Sequence, residues 1–353
     1  EKRFNDIMDH GAYIMGPEID ELEEKLADYC GVKHAISCSS GTDALLIPLM
    51  SWNIGPGDAV FTTPFTYVAT AEVISLLGAT PVFVDVYEST FNIDCEKLEI
   101  AIQETIEKSS LTPKAIIPVD LFGVPARYRL IGSIAEKYNL KVIEDGAQSF
   151  GGSIAGEKAG SFGDVAATSF YPAKPLGCYG DGGAIFTNNN DLADQCKAIR
   201  IHGTSSDKYN SEIVGMNGRL DSMQAAVLIE KMTIFDEELE MRNKVSNYYR
   251  QFLNNAQYLP KNYNSAHALF SITLGSNKER EEIIQRLALN NIPSVVYYKY
   301  PIHLMKGFAY LGYKIGDFPV SEQLSQTIVS LPMHPYLHEK EIDQVIESIK
   351  VKG

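Results

Sequence analysis

The chain has 353 residues, enough for one large domain and a smaller companion. Its 31 Lys and Arg stand against 45 Asp and Glu, a formal charge of −14, and no basic stripe offsets it, which argues against nucleic-acid and membrane-surface binding. The five scattered cysteines lack metal-ligand spacing and read as reduced thiols of a cytoplasmic protein, and no apolar run reaches membrane-spanning length.

Gly16-Pro17-Glu18 opens the first clear helix, with proline in the first turn and Glu18, Asp20 and Glu21 at its positive end. Ile19, Leu22, Leu26 and Tyr29 fall on one face, and Gly31 ends it. Lys33 to Cys38 reads as a buried strand, followed by Ser39-Ser40-Gly41-Thr42-Asp43 and a helix through Met50. Strand and helix then alternate: a strand over 59–62 and a helix over 66–77, a strand over 81–86 and a helix after Asp94, a strand over 114–119 and a helix over 128–138. A strand over 141–144 ends at Asp145. This alternation predicts an α/β fold, a three-layer αβα domain whose mostly parallel sheet is covered on both faces. Apolar segments over 164–170 and 184–187 break the rhythm and make the sheet mixed.

After Gly203 the pattern changes. Thr204 to Gly218 is polar and reads as a mobile or interfacial loop. Asp221 to Leu253 reads as one long helix. Strands at 269–274 and 294–298 and a last helix over 339–350 form a smaller α+β domain, giving domains of 1–235 and 236–353.

Three segments fall where open parallel sheets bind ligands, beyond the carboxyl ends of strands. The run from Thr168 to Gly183 holds a single lysine, Lys174, with prolines at 172 and 175 to stiffen the loop. A desolvated lysine there suits a nucleophilic amine; the alternative is an ordinary loop lysine. Ser39 to Asp43 offers free helix amides to a phosphate, or else is a plain helix cap. Asp145, just past a buried strand, either caps a helix or pairs with a cation. Amine, phosphate cradle and carboxylate are together the contacts that pyridoxal 5'-phosphate (PLP) needs at its aldehyde, its phosphate and its ring nitrogen. A dinucleotide-binding reading is disfavoured, because the glycines at 151, 152 and 156 do not form Gly-x-Gly-x-x-Gly.

With these residues, the sequence resembles the DegT/StrS family of fold-type I sugar aminotransferases. The likeness runs through Gly11 to Pro17, Ser40 to Leu45, Glu144 to Gln148, Ser169 to Lys174, Gly180 to Gly183, Gly215 to Arg219 and Pro301 to His303. The resemblance implies that Lys174 bonds the cofactor aldehyde and shuttles the substrate proton, and that Asp145 pairs with the ring nitrogen. It puts Gln148 near the ring hydroxyl, Gly41, Thr42 and Ser169 at the phosphate, and Tyr67 on the ring. Asn217 would reach the phosphate of a neighbouring subunit, making the active unit a homodimer with shared sites. Arg219 would bind a carboxylate, with Tyr298 and His303 lining the substrate site. Plainer roles are core packing for Tyr67 and His303 and an interface salt bridge for Arg219. Two departures from the family pattern are Gly146, where Ala is usual, and Asp120, where His or a small polar residue is common. The implied reaction moves nitrogen from L-glutamate to a keto group, at C3 in preference to C4, of a UDP-linked sugar. The related dehydratases carry His in place of the lysine, which Lys174 disfavours, and a non-catalytic regulator would be expected to show an eroded site.

Overall fold

The computed structural model describes residues 1–204 and 209–350. In chain order it begins with α1 (Lys2–His10), α2 (Pro17–Cys30), β1 (His34–Cys38), α3 (Gly41–Ser51), β2 (Asp58–Thr62), α4 (Ala69–Leu76) and β3 (Thr80–Phe83). Then come α5 (Cys95–Lys108), β4 (Thr112–Ile117), α6 (Tyr128–Tyr138), β5 (Lys141–Asp145), a small hairpin of β6 (Ser153–Ile154) and β7 (Glu157–Lys158), and β8 (Val165–Ser169). β9 (Gly183–Thr187), α7 (Asn190–Arg200), α8 (Ser222–Met232) and α9 (Phe235–Phe252) follow. The rest is β10 (Tyr263–Asn264), β11 (Phe270–Thr273), α10 (Asn277–Leu289), α11 (Pro319–Thr327), β12 (Ile328–Leu331) and α12 (Glu339–Lys350).

Seven strands form the main sheet in the order β1-β9-β8-β5-β4-β2-β3, with β9 antiparallel to both its neighbours and the other pairs parallel. Side chains alternate across the pleat, so both faces are apolar. Ile36, Val60, Ile117, Ile143 and Ile185 pack with Leu45, Ile47 and Ile199 in one layer. On the other side Ala35, Ala166 and Phe186 pack with Leu22, Leu26 and Leu228, and Phe61, Ile116 and Val142 with Leu98 and Ile131. A smaller core gathers β11, β12, α10 and α12 around Tyr249, Phe270, Leu287 and Val345. Helix α9 serves both cores, through Phe235 and Leu239 at one end and Val245 and Tyr249 at the other. No helix of the described residues is long and apolar enough to cross a membrane.

The fold differs from the sequence reading in a few places. The helix expected over 221–253 is two, because after Met232 the chain turns through Thr233, whose hydroxyl donates back to the Glu230 carbonyl at 2.6 Å. The turn delivers Phe235 to an aromatic cluster, 5.7 Å from Tyr29 and 5.5 Å from Phe150. Helix α4 begins at Ala69, leaving Thr66 and Tyr67 in a turn at the sheet edge. The segment 294–298 is no strand: Val295 alone bridges Ser330, and the true partner of β11 is β12. Of the polar stretch 204–218, residues 205–208 lie outside the described residues; bridges Thr204–Ser211 and Ile201–Asn217 hold the remainder.

Candidate active site

The carboxyl ends of β1, β5 and β8 converge on a cavity of about 460 Å³, lined by Gly41, Thr42, Tyr67, Asp145, Gln148, Ser169, Lys174 and Tyr298 among others. Strand pairing sets Cys38 and Ser169 abreast of Gly183. The chains meet so closely that only glycine fits. A Cβ on Gly41 would lie 2.6 Å from Cβ of Ser169, and one on Gly183 would lie 2.4 Å from the Ser40 carbonyl oxygen. Ser40 caps α3, its Oγ accepting from the Asp43 amide at 3.1 Å. Gly41 and Thr42 are therefore first-turn residues at the positive end of a helix, facing a cavity. Such a terminus is a ready anion site.

Asp145 ends β5 with almost no exposure. Its Oδ2 accepts from the Thr70 hydroxyl at 2.7 Å, and its Oδ1 more weakly from the Ala147 amide at 3.3 Å. Burial pushes its pKa up; the Thr70 and Ala147 donors and the charge of Lys174 oppose this. Lys174 is half-buried, and burial lowers its pKa against the pull of Asp145. Both groups are thus shifted toward neutrality. Among the described residues no acceptor holds the Lys174 Nζ, so the amine is free for a ligand. Gln148 is fixed from both ends, accepting from the Phe122 amide at 2.6 Å and donating to the Tyr298 hydroxyl at 2.9 Å. Burial raises the Tyr298 phenol, which stays protonated. Tyr67 is exposed at the mouth.

Two groups of expected residues stand elsewhere. Asn217 and Arg219 lie outside this cavity, bonded to each other through Arg219 Nε and Asn217 Oδ1 at 2.9 Å. His303, expected to line the substrate site, is instead buried: Nε2 sits 3.1 Å from Glu322 Oε1 and the ring packs edge-on to Phe318 at 4.7 Å. Burial lowers its pKa, with Glu322 opposing. Sequence reasoning missed Thr70 and Tyr297. Thr70 is a helix residue whose partner lies 75 positions away, which no local signal shows. Tyr297, beside Tyr298 in the cavity lining, was hidden by the strand reading of that segment.

The residues present fit PLP. A buried carboxylate with two hydrogen-bond donors has spare capacity for a cationic partner. An unengaged amine and a helix terminus share its cavity. Such a site, at the carboxyl edge of a mixed αβα sheet, brings an amine, a carboxyl group and an anion-binding helix terminus to one cavity.

Residues 1–350 match the DegT/DnrJ/EryC1/StrS aminotransferase family, and the chain belongs to it. Among curated relatives it is 44% identical to the UDP-2-acetamido-2-deoxy-3-oxo-D-glucuronate aminotransferase of Pseudomonas aeruginosa, over 94% of this chain and 89% of that protein. It is 41% identical to a pleiotropic regulatory protein of Geobacillus stearothermophilus, over 98% and 92%. It is 39% identical to the dTDP-3-amino-3,6-dideoxy-alpha-D-galactopyranose transaminase of Aneurinibacillus thermoaerophilus, over 100% and 95%. Among solved structures, a DegT DnrJ EryC1 StrS aminotransferase from Brucella abortus superposes with TM-score 0.95 at 48% identity, covering 99% of this chain and 94% of that one. NtdA from Bacillus subtilis, solved with bound cofactor PMP, superposes with TM-score 0.90 at 28% identity, covering 99% and 80%.

Proposed function

We propose that this protein is a PLP-dependent aminotransferase that moves an amino group from L-glutamate to the C3 keto group of a nucleotide-linked sugar, UDP-linked in the first instance. The observation that carries the reading is one cavity holding Lys174, Asp145 and the first turn of α3. When bound, PLP supplies an aldehyde for amine exchange and a ring that withdraws electrons. The protein does the rest. Asp145, a buried carboxyl group lining the cavity, would pair with the ring nitrogen. Gly41, Thr42 and Ser169 would hold the phosphate, Tyr67 would cover the ring, and Gln148 would meet its hydroxyl. Lys174 Nζ, whose lowered pKa favours the free amine, would be the group that holds the cofactor aldehyde, with loss of water, and the base that would move the substrate proton.

The sugar assignment rests on the names of the Pseudomonas and Aneurinibacillus relatives, which specify a 3-oxo uronate and a 3-amino sugar. For a uronate carboxylate Arg219 is the available cation, whereas His303 is committed to Glu322. Arg219 and Asn217 serve the cavity of a second copy. In support, Tyr13, Ile14, Met15 and Val214 are large apolar side chains left exposed, as a homodimer interface requires. Buried free thiols at all five cysteines suit a reducing cytoplasm.

Borohydride treatment of the PLP-loaded protein should fix the cofactor covalently to Lys174, read by peptide mass, and Lys174→Ala should lose both capture and turnover. An unmodified Lys174 sinks the reading. Comparison of 3-keto and 4-keto nucleotide sugars by NMR tests the ring position, and exclusive 4-amination refutes it. The Geobacillus relative's name raises a regulatory role as the rival. Absence of any spectral change on adding amino acids to the loaded protein would favour that rival.

A further inference from the structure

Lys174 projects from the connection between β8 and β9, and much of that connection is braced by its own backbone. The Cys178 amide donates to the Phe170 carbonyl at 2.7 Å, the Phe170 amide to the Gly182 carbonyl at 2.7 Å, and the Lys174 amide to the Tyr171 carbonyl at 2.8 Å. A Cβ on Gly177 would lie 2.6 Å from the Pro172 carbonyl oxygen, so the two arms of the loop are in tight contact. The tip at Tyr179 is different. It is 72% exposed and buries little surface of its own.

Helix α8 holds this tip. Gln224 Oε1 accepts from the Tyr179 amide at 2.9 Å, and a Cβ on Gly180 would come within 3.3 Å of the Gln224 amide carbon, so that side chain lies against the glycine. Two turns on, Lys231 Nζ donates to the Gly177 carbonyl at 2.6 Å and sits 4.7 Å above the Tyr179 ring. Gln224 and Lys231 share a helix face by their seven-residue spacing. The helix start is itself fixed. Asp221 Oδ1 caps the Gln224 amide at 2.9 Å, and Ser222 Oγ accepts from Gly16 at 3.2 Å and donates to the Ala12 carbonyl at 2.7 Å. Neither Gln224 nor Lys231 lines the cavity.

We propose that Gln224, assisted by Lys231, is a positioning residue for Lys174: it locks the closing arm of the lysine loop to α8 and so fixes where Nζ stands. The proposal rests on the reading of Lys174 as the reacting amine. Three variants of the full-length protein test it. Gln224→Met removes the acceptor at equal length, Gln224→Glu restores an acceptor oxygen, and Lys231→Met removes the second tie. A net hydrogen bond of about 1 kcal/mol predicts a roughly five- to tenfold faster amide exchange across 175–183 in Gln224→Met without cofactor. In the PLP-loaded enzyme, kcat should fall about tenfold while KM for L-glutamate stays within about twofold. Gln224→Glu should bring exchange and kcat back to within about threefold of wild type, a rescue that mere loss of packing would not give. Unchanged exchange across 175–183 in Gln224→Met, or no rescue by Gln224→Glu, overturns the proposal. Should Gln224→Met fail to fold, Lys231→Met decides: faster exchange with reduced kcat supports the clamp, and wild-type values for both overturn it. Failure of borohydride capture in wild type would instead strike the assignment of Lys174, while the exchange data still report on the clamp.

Discussion

Thr70→Val removes one hydroxyl at the centre of the site, whose shortest hydrogen bond is to Asp145. Valine keeps the shape of threonine and removes the hydroxyl that donates to Asp145 Oδ2 at 2.7 Å. Both residues are nearly inaccessible at the cavity wall. A hydrogen bond to a charged group is worth about 1.5–3 kcal/mol, which corresponds to roughly one to two units of carboxyl pKa. Burial already holds Asp145 above its ordinary range, and the variant raises it further. For a carboxyl raised on folding, the folded state binds the extra proton, so stability is greatest below the unfolded pKa near 4 and falls as pH rises through the folded value. Thr70→Val should therefore lose about 1.5–3 kcal/mol more than wild type between pH 4 and pH 7 in the cofactor-free protein, measured by urea unfolding. Its PLP affinity should weaken, by at most about ten- to a hundredfold, since a carboxyl that has lost its donor is a poorer partner for a cationic ring. Thr70→Ser, which keeps the donor, should behave as wild type in both assays. A Thr70→Val protein with the wild-type pH slope and wild-type PLP affinity would refute the assignment of Thr70 as the support of Asp145.

Asp120 and Glu144 are a buried carboxyl pair, Glu144 standing next to Asp145 in β5. Burial pushes Asp120 up to about 7 even though Ser149, Ala126 and Tyr128 donate to it, and Glu144 is raised as well by burial and by Asp120. The folded protein thus binds an additional proton between about pH 4 and pH 7, and stability falls across that window as pH rises. Asp120→Asn should flatten this slope in urea unfolding; an unchanged slope would contradict the assignment. Tyr298→Phe removes the 2.9 Å bond from Gln148 Nε2 and leaves that amide anchored only through its oxygen to Phe122. It should weaken PLP binding about two- to tenfold with the melting temperature nearly unchanged, and equal affinity would show that Gln148 needs no second anchor.

What could be read in advance depended on how local each signal is. The bounds of α2 follow from Pro17 in its first turn and from Gly31, which takes φ 71° just past its end. The alternating strands were legible because runs such as Val142 to Glu144 are buried on both faces and therefore continuously apolar up to their charged ends. Lys174, Asp145 and Gly41 stood out because each ends or follows a strand and is, or stands beside, a glycine or proline. β12 escaped because Thr327 passes from helix straight into strand with no turn residue between them. His303 was misplaced for another reason: a histidine after Pro301 carries no mark of the face it presents, and Glu322, the partner that fixes it, lies 19 residues on. Thr70, Gln224 and Lys231 belong to the same class, since their importance is a matter of which distant backbone they happen to meet.

The reversal of β9 has a further consequence. Because that strand returns beside β8, the lysine hangs from a hairpin whose two feet stand on the same rim, at Ser169 and Gly183. A crossover would have had to carry a helix over the sheet and would have tied any change of length to the neighbouring layers. Here residues 170–182 begin and end on one rim, folded back on themselves by bonds such as that from the Cys178 amide to the Phe170 carbonyl. The amine is thereby placed from one rim, by a single span whose outer ties run to α8.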